Sequence, residues 1–578
     1  MRVTDALKIL NDAPKTGKPF EVALACGFTP LHLQIFLAAY LQQALPSRRV
    51  TVSTGLYGSL ARTIEEEAER GARNLAIAIE WMDLDPRLGY RASAVWDSST
   101  LPDILSFVRK ALERLTGSIE GLPSGTKVAI STPTLPLPPF FHSSSWQMSE
   151  PESLLAKMVT EFAAKMASLA IPIVNTAYLS EESAPDLRYD LKSDLLFGLP
   201  YTQGHADKLA FALSRLLCPP NSKKGIITDL DDTLWSGLVG EVGPEGIRWD
   251  LDSHSGLHAL YQSLLASFAE HGILVGVASK NDPKVVEKAF ERTDLLLHKE
   301  RAFPMEVHWQ AKSSSVERIL RAWNISADTV VFVDDSPMEL AEVAAAHPGI
   351  ECIQFPGRDY AAGYDMLRRL RDLFGKQKLS TEDHIRLDSI RQSAKFQDAA
   401  AESTPESFLQ DAKAIVHFDF ESSRDARALE LVNKTNQFNL NGIRYTESDW
   451  ASELSHPNAE LMVTSYEDRF GLLGKIAVIL GHLEGSTLHV RTWVMSCRAF
   501  ARRIEYVCLR ICFDRYGVRQ INFDFLATEM NGPLREFLTH LVGQTPGEQV
   551  TLTQERFEQV CPALYHTVED ARSRSVNG

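Results

Sequence analysis

Four short apolar segments between residues 221 and 375, separated by turns and helical stretches, constrain the fold of this chain more than any other feature. They read KGIITDLD, GILVGVAS, TVVFVDD and IECIQFPG. Short uninterrupted apolar runs are typical of strands that are buried on both faces, as in parallel sheets covered by helices. The sequence therefore predicts a Rossmann-like α/β domain over residues 221–375.

Chemically active side chains stand at the ends of these predicted strands and beside them. The set comprises Asp229, Asp231, Ser279, Lys280, Lys312, Asp334 and Asp335. Because the carboxyl ends of parallel strands share one edge of a sheet, we expect a single site there. Asp229 and Asp231 are two residues apart and point to the same face, so the first can serve as nucleophile and the second as general acid or base.

A phosphate group is the ligand that this set fits. Carboxylates repel a dianionic phosphate, so the site needs a hard cation, together with cationic or hydroxyl groups for the phosphate oxygens. We predict that Mg²⁺ is bound by Asp229 together with Asp334 or Asp335, with Asp231 as a further candidate ligand. The predicted phosphate ligands are Ser279, Lys280 and Lys312. The alternative, an acidic turn that merely ends a strand, leaves four ordered elements unexplained.

This ordered series resembles the haloacid dehalogenase (HAD) superfamily of phosphatases. It consists of the DxDxT motif that begins at Asp229, followed by Ser279, Lys312 and the pair Asp334-Asp335. Thr233 closes the motif and is expected to contact the substrate. The stretch between Asp232 and Ser279 is too short for a large inserted cap domain. The resemblance therefore implies an open site that can accept a phosphate on a bulky or protein-bound substrate.

Longer stretches are similar to the FkbH-like branch of that superfamily (subfamily IIIC). They are TDLDDTLWSGLVGEVGPEGI, ASKND, HWQAKS, FVDDSPMELAEV, LVNKTNQFNLNGIRYT, TWVMSCRAFARRIE and ATEMNGPLREFL. The resemblance implies a Mg²⁺-dependent glyceryltransferase/phosphatase that uses 1,3-bisphosphoglycerate, a small phosphorylated three-carbon substrate. Such an enzyme removes phosphate and loads a glyceryl unit, as a thioester, onto the phosphopantetheine arm of an acyl carrier protein in polyketide-type biosynthesis. It also implies a GNAT-like α+β acyltransferase domain over residues 376–578.

The same resemblance points to Cys497 as the acyl acceptor. The segment STLHVRTWVMSC alternates, and we expect one face of this strand to carry His489, Arg491, Trp493, Met495 and Cys497. A helix N-terminus and neighbouring arginines stabilise a thiolate, and the arginines here are Arg498, Arg502 and Arg503. The alternative is a small buried residue at the end of a strand. Cys508 and Cys512 follow helical periodicity and are predicted core residues.

Two further clusters are candidates for binding the substrate or the carrier protein. Asn436, Gln437 and Asn439 in KTNQFNL offer amides to the glyceryl hydroxyls or the pantetheine arm, or else form a helix end and turn. Arg498, Arg502 and Arg503 are candidates for docking an acidic carrier protein. A second basic cluster lies on the helix that leaves the α/β domain, where an ordinary solvated face is the alternative: Arg368, Arg369, Arg371, Lys376 and Lys378.

Residues 1–220 alternate short apolar runs with helical stretches, which predicts a second α/β domain with a mainly parallel sheet. We expect residues 131–145, rich in proline and serine, to form an exposed loop. The domain weakly resembles the SGNH-hydrolase-like domain of some FkbH-like proteins. CGFTP (26–30) stands where that family has its nucleophile loop, without a serine, and His205 lacks a preceding aspartate. We therefore expect a non-catalytic domain with a docking or substrate-positioning role, and a divergent active hydrolase is the alternative. His205 is expected to be structural.

Composition limits location and partners. The chain has 60 basic and 75 acidic residues and a net charge of −15, which argues against a general binder of nucleic acid or anionic membranes. It has no run of 18 apolar residues and no signal-peptide pattern at its start. Its seven cysteines form no C-x-x-C pair, which argues against a disulfide framework or zinc site. We expect a cytoplasmic protein without a nucleic-acid or membrane partner.

Two other functions fit part of the sequence. One is a HAD phosphatase of a small phosphorylated metabolite whose flanking domains are accessory. The other is a carrier-protein scaffold with an inactive site, which the complete set of charged residues disfavours. Replacement of Cys497 distinguishes the first alternative from the coupled enzyme, since only the coupled enzyme needs an acyl acceptor.

Overall fold

The computed structural model describes residues 1–95, 98–139, 143–376, 387, 390–391, 405–420, 426–469, 471–496, 499–500, 502–528 and 530–570. The chain divides into two compact units, Met1–Asn221 and Ser222–Gly578. Among the residues described, no helix combines the length and the apolar character needed to cross a membrane.

The first unit contains a sheet of four parallel strands in the order β2-β1-β3-β4. The strands are β1 (Lys18–Ala25), β2 (Arg48–Thr54), β3 (Asn74–Ala78) and β4 (Lys127–Ser131). The α-helices are α1 (Val3–Asn11), α2 (Leu31–Ala44), α3 (Leu60–Glu69), α4 (Trp81–Leu84), α5 (Leu101–Glu120), α6 (Glu150–Ser168), α7 (Thr176–Glu182), α8 (Leu191–Phe197) and α9 (Gln203–Leu217). The predicted parallel α/β architecture of this part of the chain is confirmed.

Local sequence explains these elements. Strand β3 is buried at every position, as expected of a central parallel strand. Helix α6 begins with a capping box in which the Ser149 hydroxyl accepts from the Glu152 amide and the Glu152 side chain accepts from the Ser149 amide. The loop over residues 131–145 is only partly exposed, in contrast to the prediction. Thr134 and Leu135 are buried, and their backbone amides donate hydrogen bonds to a buried carboxylate.

That carboxylate belongs to Glu80, at the centre of a buried polar network. Glu80 accepts hydrogen bonds from the Tyr201 hydroxyl (2.6 Å) and the Thr134 hydroxyl (2.5 Å). His205 is 1% exposed and lies between Thr134 Oγ1 (2.8 Å) and Ser183 Oγ (3.0 Å). Burial lowers the pKa of His205 to about 3. His205 is thus a buried, hydrogen-bonded core residue, as predicted.

The second unit begins with a five-stranded parallel sheet in the order β7-β6-β5-β8-β9. Its strands are β5 (Gly225–Thr228), β6 (Leu274–Ser279), β7 (Met305–Val307), β8 (Val330–Asp334) and β9 (Glu351–Gln354). Its helices are α10 (Val239–Val242), α11 (Gly256–Glu270), α12 (Pro283–Phe290), α13 (Lys312–Trp323), α14 (Pro337–Ala346) and α15 (Tyr360–Phe374). This is the predicted Rossmann-like arrangement.

Two glycines let a helix pack closely on this sheet. A Cβ atom at Gly225 or Gly276 would lie 2.5 or 2.8 Å from the ring of Trp323 on α13. The Trp323 indole is 2% exposed and donates to the carbonyl of Phe303 at 2.7 Å. The ring therefore occupies space that side chains on β5 and β6 would otherwise fill, and it fixes α13, which begins at Lys312, against the sheet.

The rest of the second unit is a mixed α+β structure around a seven-stranded sheet in the order β15-β14-β13-β12-β11-β10-β16. Its strands are β10 (Ile415–Asp419), β11 (Ala459–Asp468), β12 (Gly471–Glu484), β13 (Thr487–Met495), β14 (Gln520–Asp524), β15 (Gln549–Thr553) and β16 (Thr567–Asp570). Its helices are α16 (Pro405–Asp411), α17 (Ala426–Lys434), α18 (Glu447–Leu454), α19 (Ile504–Tyr516), α20 (Gly532–Val542) and α21 (Gln554–Val560). The GNAT-like and SGNH-like identities of the flanking domains stay predictions.

A β-bulge in β13 interrupts the predicted alternation of its side chains between the two faces of the sheet. Leu480 of β12 pairs with Thr492 and Gly481 pairs with Val490, so Arg491 is an extra residue. The bulge brings Trp493 to the same core face as Val490, whereas Arg491 forms an ion pair with Glu453 at 3.0 Å. The prediction that one face of this strand carries His489, Arg491, Trp493 and Met495 is therefore wrong.

The prediction that Cys508 and Cys512 are core residues is confirmed, since both are fully buried.

Candidate functional site

Strand order brings the predicted site together. Asp229 directly follows β5, which lies between β6 and β8 in the sheet. Ser279 is the last residue of β6 and Asp334 is the last residue of β8. Thr228 pairs with Val277 on one side and Val333 on the other, so the three strand ends are in register. The central strand thus holds Asp229 between the side chains of its two neighbours.

Three carboxylates form a cluster at this edge. Asp229, Asp334 and Asp335 each offer an oxygen within 4.8 Å of the others. Asp229 is 5% exposed and Asp334 is fully buried. Among the described residues this is the one group of three or more histidine, cysteine or acidic side chains with the spacing of a metal site. Carboxylate oxygens are the ligands that Mg²⁺ prefers, and these three are close enough together to bind one ion.

Lys312 supplies the positive charge in this cluster. Its ammonium lies 3.1 Å from Asp229 Oδ1 and 2.5 Å from Asp334 Oδ2. Lys312 is the first residue of α13 and is 4% exposed. Burial alone would lower the pKa of Lys312, but the two carboxylates outweigh burial and raise it.

One ammonium does not balance the negative charge of the site. Burial raises the pKa of Asp229 to about 6; the charge of Lys312 opposes that rise and the charge of Asp334 adds to it. Burial also raises the pKa of Asp334 and of Asp335. Each shift reflects the free-energy cost of an ionised carboxylate in this environment. A further cation beside the three carboxylates would lower that cost, so these residues fit a divalent metal.

Asp231 lies next to the cluster but is not part of it. One of its oxygens accepts from the Trp235 indole at 2.9 Å and the Val239 amide at 3.1 Å, and the other accepts from the Asn281 amide at 3.1 Å. Its carboxylate is thus held by the turn and helix that follow β5, which separates the predicted acid/base group from the predicted metal ligands. Asp231 is not among the three carboxylates of the cluster, and its expected metal-binding role stays a prediction.

Three other predicted residues lie at this edge with defined partners. Ser279 is buried and accepts from the Asn281 side chain at 3.1 Å. Lys280 forms an ion pair with Glu339 at 2.8 Å. Thr233 is fully buried, and its hydroxyl accepts from the Asp335 amide at 3.0 Å. Thr233 therefore fixes the loop after β8, and the expected contact with substrate is corrected.

Two residues of this network were not predicted from the sequence. Asn281 is 4% exposed and joins Ser279 to Asp231, while Glu339 on α14 pairs with Lys280. Asn281 follows Ser279 and Lys280 in ASKND. Its position next to the end of a predicted strand could have identified it as a candidate site residue. Glu339 lies on a helix with no distinguishing pattern, and only the fold places it beside β6.

The predicted acyl site is described in part. Cys497 and Arg498 lie outside the described residues. Arg502 is 2% exposed, pairs with Asp468 at 3.4 Å and lies over the Tyr466 ring. Arg502 therefore does not belong to an exposed docking surface, which corrects that prediction. Arg503 binds Glu406 at 2.9 Å and the Ala563 carbonyl at 2.9 Å.

The amide cluster after α17 forms a turn. Asn439 is 3% exposed; its amide donates to the Thr435 carbonyl at 3.0 Å, and its oxygen accepts from the Gly442 amide at 2.8 Å. Asn436 is exposed and accepts from Arg444. Gln437 is half-buried. Asn439 therefore stabilises the turn at the end of the helix, which is the alternative to the predicted contact with substrate. Gln437 stays a candidate for binding.

The basic helix face near the end of the α/β domain is balanced by acids. Arg369 pairs with Glu351 at 2.9 Å and Arg371 pairs with Asp372 at 3.0 Å. Both arginines are well exposed. Lys378 lies outside the described residues. This face has the character of an ordinary solvated surface.

Comparisons with known proteins add a fold relationship. No family model and no curated protein matches the sequence. The N-terminal part of a Bacteroides fragilis protein, containing a phosphatase domain complexed with Mg, is similar in structure with a TM-score of 0.50 and 18% identity, over 66% of this chain and 100% of that one. This similarity supports the α/β fold.

Two further solved structures are similar at lower TM-scores. An uncharacterized protein from Corynebacterium glutamicum is 19% identical over 28% of this chain and 99% of its own, with a TM-score of 0.19. An extracellular lipase from Streptomyces rimosus is 13% identical over 34% of this chain and 100% of its own, with a TM-score of 0.24. Neither similarity is strong enough to support an argument about this protein.

Proposed function

We propose that this protein is a Mg²⁺-dependent phosphatase of the HAD type whose site is built on β5, β6 and β8. The cluster of Asp229, Asp334 and Asp335 around Lys312 carries the proposal, because a nucleophilic carboxylate, cation ligands and a lysine converge at one strand edge. The Mg complex of the Bacteroides phosphatase domain supports the choice of metal. When bound, Mg²⁺ neutralises the phosphate oxygens.

The side chains divide the reaction between them. Asp229 attacks phosphorus, the bond from phosphorus to the ester oxygen breaks, and Asp231 donates a proton to the departing alcohol. Water then attacks phosphorus in the aspartyl phosphate and Asp231 takes a proton from it. The bond from phosphorus to the Asp229 oxygen breaks, which releases inorganic phosphate and the free Asp229 carboxylate. Asp334 and Asp335 bind the metal with Asp229. Ser279 and Lys312 lie where they can bind phosphate oxygens.

The finer proposal is that phosphate removal is coupled to glyceryl transfer. The FkbH-like resemblance supports 1,3-bisphosphoglycerate as the donor and the phosphopantetheine thiol of an acyl carrier protein as the acceptor. An acyl phosphate is already activated, so the Cys497 thiolate can displace phosphate from it to form a thioester, which then exchanges with the carrier thiol. The remaining phosphomonoester is stable and needs the Asp229 site.

A phosphate-release assay with p-nitrophenyl phosphate tests the first proposal. Asp229→Asn should abolish Mg²⁺-dependent turnover, and the matched control Asp250→Asn, at an exposed acid of the same unit, should keep it. Turnover that persists without divalent metal, or in Asp229→Asn, contradicts the proposed chemistry.

Intact-protein mass spectrometry of a holo carrier protein tests the coupling. Incubation with this chain, Mg²⁺ and 1,3-bisphosphoglycerate should add one glyceryl mass to the carrier, and Cys497→Ala should prevent that gain while p-nitrophenyl phosphate turnover continues. An active phosphatase that adds no mass to the carrier would favour the second candidate, a phosphatase of a small metabolite. The burial of Arg502 favours this candidate, because it removes one expected carrier contact.

A further inference from the structure

The first unit contains a cavity that the proposed phosphatase chemistry does not use. Its volume is about 510 Å³, which is within the range of sites that bind small molecules. Its lining includes Gly27, Gly58 and Met82, which follow β1, β2 and β3 respectively. The cavity therefore lies at the carboxyl edge of the first parallel sheet, the edge at which α/β sheets bind ligands.

Five charged side chains line this cavity, and three of them already have partners. The five are Arg62, Asp83, Arg91, Arg114 and Asp194. Arg62 forms an ion pair with Glu66 at 2.7 Å, and Arg114 forms one with Glu65 at 2.9 Å. Asp83 accepts a hydrogen bond from the Glu80 amide at 2.8 Å. The two that remain, Arg91 and Asp194, have charges of opposite sign.

Asp194 is a buried carboxylate with one oxygen to spare. It is 1% exposed, and its Oδ2 accepts from the Tyr189 hydroxyl at 2.7 Å. Its Oδ1 has no hydrogen-bond partner in the described part of the chain. Burial raises the pKa of Asp194, and the hydrogen bond from Tyr189 and the charge of Arg91 oppose that rise. A buried acceptor without a donor costs free energy, so a ligand that donates to Oδ1 is favoured here.

Arg91 lies beside Asp194 without pairing with its carboxylate. One guanidinium nitrogen donates to the main-chain carbonyl of Asp194 at 2.5 Å, and the guanidinium lies over the Tyr57 ring, 5.6 Å from its centre. The Arg91 side chain is exposed, and it forms no ion pair with a carboxylate among the residues that the structure describes. Its other N–H donors can therefore bind an anionic group in the cavity.

We propose that this cavity binds a free α-amino acid with an apolar or aromatic side chain. The ammonium group donates to Asp194, the carboxylate pairs with Arg91, and the side chain lies against Leu60, Met82 and Leu115. An α-amino acid carries its two charges on one small group, which matches the contact between Arg91 and Asp194. The proposed site takes part in no chemical step and does not depend on the phosphatase reaction of the second unit.

Isothermal titration calorimetry of the full-length protein with three probes tests the proposal. L-Phenylalanine carries both charges, L-phenylalaninamide lacks the carboxylate, and 3-phenylpropanoate lacks the ammonium group. L-Phenylalanine should bind with a Kd about 10–100-fold lower than that of either analogue, because each analogue loses one charge-assisted contact.

Two variants assign each contact to its residue. Asp194→Asn should weaken L-phenylalanine about tenfold or more and leave 3-phenylpropanoate unchanged, whereas Arg91→Gln should weaken L-phenylalanine and leave L-phenylalaninamide unchanged. The matched controls are Asp186→Asn and Arg70→Gln, at exposed residues of the same unit outside the cavity lining, and they should leave every Kd unchanged. Circular dichroism shows whether each variant is folded. Because Arg91 is exposed, Arg91→Gln keeps the test decisive if Asp194→Asn does not fold.

The outcomes that would overturn the proposal are specific. One is that L-phenylalanine, L-leucine and L-tyrosine all fail to bind at millimolar concentrations. Another is that L-phenylalaninamide or 3-phenylpropanoate binds as tightly as L-phenylalanine. Binding of L-phenylalanine that is unchanged in both Asp194→Asn and Arg91→Gln would place the ligand elsewhere and overturn it too. Each of these results leaves the proposed phosphatase activity untouched.

Discussion

The ammonium of Lys312 lies 3.1 Å from Oδ1 of Asp229, so the proposed nucleophile is held by a lysine that is itself buried. The two residues are far apart in sequence, and their contact depends on α13 beginning at the carboxyl edge beside β5. The lysine therefore offsets the charge of the carboxylates and, in the proposed reaction, supplies a cation at the place where the phosphate binds.

Replacement of Lys312 should therefore be far more costly than replacement of Lys280. Lys312→Met leaves Asp229 and Asp334 buried without their cation, and we expect a loss of about 3–5 kcal/mol in the free energy of unfolding. Lys280 is about one-third exposed, so Lys280→Met should cost about 0–1 kcal/mol. Urea denaturation without divalent metal measures both, and equal losses would contradict the role given to Lys312.

Asn281 and Trp235 should act on catalysis through Asp231. Asn281→Ala and Trp235→Phe each remove one donor from its carboxylate, which leaves the acid/base group less well oriented. We expect kcat for p-nitrophenyl phosphate to fall by about 10–100-fold with little change in KM. The pH–rate profile should change shape in both variants. A rise in KM at constant kcat would show that these residues bind substrate instead.

The parallel sheet of β5 to β9 could be predicted because its strands are short apolar runs with the candidate site residues at their ends. Asp229, Ser279 and Asp334 follow from that pattern alone, since parallel strands align their carboxyl ends. The roles of three other residues could not be predicted, because each depends on a partner from another element. Asp231 is bonded to Asn281, Thr233 to Asp335 and Lys280 to Glu339. Sequence periodicity shows which face a residue occupies but not which polar group meets it.

The β-bulge in β13 is another feature that could not be predicted from the sequence. A single extra residue at Arg491 reverses the alternation of β13, and nothing in STLHVRTWVMSC distinguishes that position. Likewise, a cluster of arginines near Cys497 reads as a basic surface, whereas Asp468 on β11 draws Arg502 into the interior.

Neighbouring arginines should accordingly differ in their effect on stability. Arg502→Ala removes the buried cation beside Asp468, which is 2% exposed, and should lower the free energy of unfolding by about 3–5 kcal/mol. Arg503 pairs with an exposed Glu406, so Arg503→Ala should cost about 0–1 kcal/mol. Chemical denaturation followed by circular dichroism measures both. A small loss for Arg502→Ala would restore it as a candidate surface residue.

His205 should make the first unit sensitive to acid. Its pKa is about 3 in the folded chain, below the usual 6.5, because the ring is buried. As pH falls from 6.5 towards 3, the unfolded chain binds a proton at this ring and the folded chain does not. The stability present above pH 6.5 is therefore lost at up to about 1.4 kcal/mol per pH unit.

Removal of the titrating ring isolates this contribution. His205→Gln should destabilise the first unit at pH 7, since hydrogen bonds with Thr134 and Ser183 are disturbed, but its stability should fall less steeply between pH 6 and pH 4 than that of the unaltered chain. Denaturation at several pH values, followed by a probe within residues 1–221, provides the two slopes. Parallel slopes would show that His205 is protonated in the folded chain and that its burial does not set the acid sensitivity.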